Sequence, residues 1–192
     1  MADTTICDPV GMFGSTKLWL MLRATRGLDL PDFLLGSRLA YAAVSRLMYT
    51  QDWEALRPLV SDQMLHAMQG TMDDITGAGR RVVDIDGSIT VHSAVLRQIL
   101  HLNEEPAPGA VKCHLDVHIT SHESWRMFDY HSNEALEPFD GRVRVQESTW
   151  RFEGVVLDPE FDPDSEAGVD GDEVHAARAA AEEVPWTVHA IV

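Results

Sequence analysis

The apolar residues of this 192-residue chain change their spacing once, and the change falls at Gly79. Before it they recur every three or four residues, the period of a helix. After it they alternate, the period of a strand. Such an order is incompatible with a helical bundle, a β-sandwich or an alternating βαβ fold. It predicts helices first and sheet second, an α+β domain with segregated elements. Forty-five per cent of the residues are apolar, enough for one full core and too few for two.

In the helical part, Pro31 and Asp32 suit a first turn. Leu35, Leu39, Ala43 and Leu47 follow at four-residue spacing, with Ala40, Val44 and Met48 beside them. The spacing predicts an amphipathic helix over 32–49 that buries this row. Gly36 lies inside it, which costs about 1 kcal/mol unless something packs closely there. Asp52 is placed to cap a short helix over 53–57, which Pro58 stops. Ser61 caps a third, with Leu65, Met68, Met72 and Ile75 on one stripe and Gly77 and Gly79 at its end.

The clearest strand is 111–120. Val111, Cys113, Leu115, Val117 and Ile119 face one way; Lys112, His114, Asp116, His118 and Thr120 face the other, so one face is buried. Residues 142–156 also alternate but change phase, odd at Val143 and Val145 and even at Trp150 and Phe152. This predicts a bulge near Glu147. Val184, Trp186, Val188, Ala190 and Val192 form a last strand. Residues 89–102 read as a strand, although Val95, Ile99 and Leu102 would also suit a helix. About four antiparallel strands result, joined by long connections at 103–110, 124–141 and 158–183, and the sheet is expected to curl over the long helix.

Charge is unevenly spread. The net charge is −16, and residues 158–183, with ten acids and only Arg178 as a base, hold nine of those sixteen excess negative charges. With Pro159, Pro163, Gly168 and Gly171, residues 158–172 read as a solvated loop, and 175–183 as a short helix. The balance opposes non-specific nucleic-acid binding, which needs basic patches. Two cysteines exclude a disulfide-rich scaffold and a four-cysteine zinc site. The densest apolar run, 18–22, is too short to cross a bilayer. Residues 9–28 contain no acid but carry Lys17, Arg23 and Arg26. This suits the remnant of a mitochondrial targeting segment or contact with an anionic surface; the plainer reading is an arm that packs Trp19 and Leu22 on a neighbour. The division is therefore an N-terminal arm, 1–29, and one domain, 30–192, with an acidic insertion at 158–183.

Candidate chemistry is sparse. His114, Asp116, His118 and His122 share one strand face, where residues two apart lie about 6.5–7 Å from each other. Zinc needs three or four ligands near 2.0–2.3 Å, so a polar, partner-facing surface is the expectation and no metal is predicted. Asp162, Asp164, Glu166, Asp170 and Glu173 fall in a calcium-loop register, but Ala167 stands where that loop needs Gly. Tyr41 on the long helix, or Asp116 if its strand face turned inward, is the candidate for a pocket residue. Cys113, on the buried face, is expected to be inert packing. Phosphate loops and nucleophile elbows have no counterpart in the sequence.

Phe33, Leu34, Leu35 and Gly36, then Ala40 and Tyr41, then the run from Asp52 through Trp53, Leu56 and Pro58 to Ser61 resemble the C-terminal domain of subunit 44 of the mitochondrial inner-membrane translocase. Trp150 and the Trp186, Thr187, Val188 run extend the likeness over 30–192. The resemblance implies helices packed in a strongly curved antiparallel sheet, a cone similar to nuclear transport factor 2 and cystatin-like domains. It also implies a non-enzymatic adaptor at the matrix face of the mitochondrial inner membrane, without cofactor. Its partners would be other subunits of a translocase, a respiratory complex or the mitochondrial ribosome, with anionic inner-membrane lipid as a second contact and no direct contact with nucleic acid. Lys17, Trp19, Arg23, Arg26, His114, Asp116 and His118 are the expected contact residues. Two alternatives stand beside this reading: a pocket enzyme of isomerase or dehydratase type, requiring an ionisable group in a hollow, and a binding module that offers its acidic loop to a basic partner.

Overall fold

Three side-chain caps set the helical half. The Asp29 carboxylate accepts the Asp32 amide at 3.0 Å and opens α1, Leu30–Thr50. Asp52 accepts the Ala55 amide and opens α2, Trp53–Leu56. Ser61 accepts the Met64 amide and opens α3, Asp62–Gly77. Each satisfies an amide that a helix start leaves unpaired. The computed structural model describes residues 28–102, 104–107, 109–157 and 186–192, apart from the side chains of 83–88 and 138.

The buried face of α1 is not the expected one. Leu30, Phe33, Leu34, Ser37, Tyr41, Val44 and Ser45 are buried, whereas Leu35 is 50% and Leu39 66% exposed. Steps of four residues overrun the helical period, so a straight four-residue row winds about 120° around the helix between Leu35 and Leu47. A row that alternates steps of three and four stays on one face. Of the four-residue row only Leu47 packs on the core, together with Ala40, Val44 and Met48 that were expected beside it. On α3 the expected stripe holds for three of its four residues: Leu65, Met68 and Met72 are buried, and Ile75 is half-buried.

Among the described residues five strands follow: β1, Arg80–His101; β2, Ala110–Asp129; β3, Ala135–Asp140; β4, Arg144–Leu157; and β5, Thr187–Ile191. They make one antiparallel sheet ordered β1-β2-β4-β5, with β3 paired to the end of β2. The sheet curls into a half-barrel, and α1 packs against β1 and β2 inside it. The α+β class and the curled sheet agree with expectation. The segment 124–141 is not one long connection: it holds the end of β2, a tight turn and β3.

The bends lie elsewhere than expected. The pairing of β4 with β2 runs from Ala110↔Leu157 to Glu123↔Arg144 without a shift at Glu147. Val143 and Val145 are 67% and 59% exposed, so their odd phase is that of the outer face. Three shifts fall in β1, after Asp84, Val91 and Leu96. They explain its ambiguous pattern: core contacts run from Ile89 and Val91 to Ala94 and Leu96 and then to Ile99, reversing parity at each of the last two shifts. Bulges of this kind bend a long strand.

β2 keeps the expected alternation, with Cys113, Leu115, Val117 and Ile119 fully buried beside Trp150, Phe152 and Val156 of β4. β5 is held on its far side by the loop between α2 and α3. There the Ser61 amide donates to the Val188 carbonyl at 2.8 Å and the Val188 amide to the Leu59 carbonyl at 3.0 Å. The Trp186 ring lies on Gly154 so closely that a Cβ there would meet it at 2.5 Å, and it leans on Phe33 at 4.7 Å.

Two substitutions test this packing by urea denaturation. Gly154→Ala forces Trp186 off its seat and should destabilise by about 1–3 kcal/mol. Among the described residues nothing lies within 4 Å of a Cβ at Gly36. Gly36→Ala should therefore stabilise by about 1 kcal/mol, as in any exposed helix interior.

Candidate functional site

Two sites of different character result. The first lies inside the half-barrel, between α1, α3 and the inner faces of β2 and β4. A cavity of about 360 Å³ is lined there by Tyr41, Met68, Glu123, Trp125, Ser148 and Trp150, among others. The alternation of β2 continues past Thr120, so Ser121 and Glu123 face inward and both are buried. The Tyr41 hydroxyl donates to Glu123. The Ser121 hydroxyl lies 2.9 Å from Glu123 Oε1 and 3.0 Å from the Tyr41 oxygen. Burial, and then the adjacent carboxylate of Glu123, push the Tyr41 phenol well above its ordinary range. It stays a neutral donor at any physiological pH. Ser148 Oγ is buried with no hydrogen-bond partner among the described residues. Trp125 stacks on Phe139 at 4.2 Å and meets Tyr49 at 5.1 Å, giving the cavity an aromatic wall.

The second site lies on the outer face of the sheet. Asp116 is 4% exposed. Both its oxygens accept from Arg151 on β4, at 2.7 and 2.8 Å. His118 reaches Thr149 at 3.4 Å, and His122 meets His92 ring to ring at 4.0 Å. His114 Nε2 lies 3.0 Å from Glu153 Oε2, and His189 Nδ1 lies 3.5 Å from the same oxygen. Lys112 donates to the other oxygen, Oε1, at 2.9 Å. Partial burial raises the Glu153 carboxyl, but hydrogen bonds from His114 and Lys112 outweigh that and hold it below the usual range.

The sequence placed His114, Asp116 and His118 on the outer face, and there they stand. Asp116 is not available to solvent, however, because Arg151 covers it. Its partners come from the next strand, not along its own. Lys17, Trp19, Arg23 and Arg26 lie outside the described residues, as do the acidic insertion and the calcium-like register. Glu123, Ser121, Glu153 and His189 went unnoticed in the sequence. The period-2 pattern of β2, carried beyond Thr120, would have found the first two. The latter two needed the strand register. Compared with protein-family models and with curated proteins, the chain matches none.

Three outcomes are expected. Arg151→Ala leaves a buried carboxylate unpaired and should destabilise by about 3 kcal/mol in urea titrations, more than Asp116→Asn. Tyr41→Phe removes a donor from buried Glu123 and should cost about 1–3 kcal/mol in the same measurement. Burial pushes the Cys113 thiol up to about 12. In a Cys7→Ser background a thiol reagent should therefore modify the native chain only as fast as it unfolds, and immediately in denaturant.

Proposed function

We propose that this chain is a non-enzymatic adaptor, seated by protein contact on a large complex at the matrix face of the mitochondrial inner membrane. The observation that carries this reading is the apolar row of α1 left outside, with Leu35 half exposed and Leu39 two-thirds exposed. Leu35 is one of the residues through which the sequence resembles the inner-membrane translocase subunit, Leu39 stands one turn further along the same helix, and the half-barrel is compatible with that family's cone. Covering what each leucine still exposes is worth about 1–2 kcal/mol. The net charge of −16 repels an anionic leaflet, which favours a protein partner over lipid. Among the described residues no helix is long and apolar enough to cross a membrane. A Leu35→Asp/Leu39→Asp variant should keep the melting transition of the wild type and lose co-migration with a large membrane-associated complex. Retained co-migration, or a wild type that runs as a free monomer, would count against the adaptor.

One observation favours a second reading, a pocket protein of the nuclear transport factor 2 type acting on a small molecule: the cavity of about 360 Å³ with Tyr41 and Glu123 in its wall. A pocket of that size takes a small organic molecule, and an aromatic wall with one polar corner suits a flat, oxygen-bearing one. Native mass spectrometry of the purified chain separates the two. A bound small molecule that Glu123→Gln releases supports the pocket; the bare chain mass supports the adaptor.

A further inference from the structure

The outer face of the sheet brings together three side chains of the type that holds a metal, one from each of three neighbouring strands. His114 on β2 is paired in register with Glu153 on β4. His189 comes from β5, where the pairing passes from Phe152↔Val188 to Arg151↔Ala190 and leaves His189 as the extra residue of a bulge. A bulge re-aims a side chain, and here His189 stands beside Glu153. Ser61, the cap of α3, fixes its backbone, since the Ser61 hydroxyl donates to the His189 carbonyl at 3.0 Å.

The candidate ligand atoms all lie within 4.8 Å of one another. Four ligands about 2.0–2.1 Å from a tetrahedral zinc sit about 3.4 Å apart. The separations of 3.0 and 3.5 Å from Glu153 Oε2 to His114 and His189 bracket that edge. The two imidazoles stack at 4.7 Å, so modest ring rotation closes the third edge. Lys112 occupies the remaining carboxylate oxygen, and Glu104 Oε2 lies 3.3 Å from Lys112 and offsets its charge. This leaves one Glu153 oxygen for a metal and orients it, as supporting hydrogen bonds do around bound ions. Two imidazole nitrogens and one carboxylate oxygen are a donor set that the borderline Zn²⁺ ion takes.

We propose that His114, Glu153 and His189 bind one Zn²⁺ ion on the outer face of the half-barrel, through three protein ligands and a fourth, solvent-facing position. The ion ties β5 to β2 through β4, which short pairing alone holds less firmly. It is independent of the cavity and of the α1 surface, so either function above can stand or fall without it.

The test is calorimetric titration of Zn²⁺ into the full chain after chelator treatment. One equivalent should bind with sub-micromolar affinity. His114→Ala and His189→Ala should each weaken it by at least about 100-fold, and Glu153→Gln should also weaken it, whereas His118→Ala should leave it unchanged. A measurement on the unaltered chain guards against misfolded variants: Zn²⁺ should protect His114 and His189, but not His131, from carbethoxylation read by peptide mass spectrometry. The absence of tight binding, or tight binding that survives all three ligand substitutions, would overturn the site and leave an ion-pair cluster only. Absence of protection at His114 and His189 would do the same.

Discussion

The fully buried inner row of β2, Cys113, Leu115, Val117 and Ile119, is the constraint on which the rest of the molecule depends. β2 is bonded along its length by β1 on one side and by β4 and then β3 on the other. A side-chain row with no exposure on a strand with no free edge can be satisfied only from inside the curl. α1 supplies that cover through Phe33, Leu34, Tyr41 and Val44. The contact is apolar and non-directional, so its strength follows area. Curvature raises that area, because a bent sheet wraps more of a helix than a flat one does. The bulges of β1 give the bend, and they turn each stretch of that long strand back to the core when twist would carry it away.

The same row explains where the polar groups fall. Alternation along β2 is strict, so every residue between two core positions faces outward, and His114, Asp116 and His118 follow from Cys113, Leu115, Val117 and Ile119. Past Ile119 the inner positions change chemistry but not direction. Ser121 and Glu123 enter the half-barrel where α1 offers Tyr41, and the three groups bond to one another. A buried carboxylate is tolerated there because a phenol and a hydroxyl replace its water. Polar content at this end leaves a cavity where the other end is filled by Phe33, Leu96 and Phe152.

The outer face shows how ionisable groups are settled on a sheet. Asp116 and Arg151 are opposite in register and form a two-pronged pair. His114 and Glu153 are likewise opposite, and β5 adds His189 through its bulge. These are cross-strand neighbours, the natural unit of interaction on a sheet. A search along one strand, where alternate residues lie about 7 Å apart, cannot find them. The reading of His114, Asp116, His118 and His122 as a single row had the right face and the wrong neighbours.

The sequence by itself determined the order of elements apart from β3, the capping residues Asp52 and Ser61, the stripe of α3 and the inner row of β2. Caps and periods are local: a side chain reaches an amide three residues away, and a pattern needs only its own element. The face of α1 was misjudged because several apolar rows compete on a helix rich in leucine and alanine, and only the sheet that covers it chooses among them. The phase of β1 was blurred because bulges reverse parity without any residue that announces them. The meeting of His114, Glu153 and His189, separated by 39 and 36 positions in the chain, was decided by register and by one bulge. Register is set by how two strands bury their faces together, and neither strand carries that information alone.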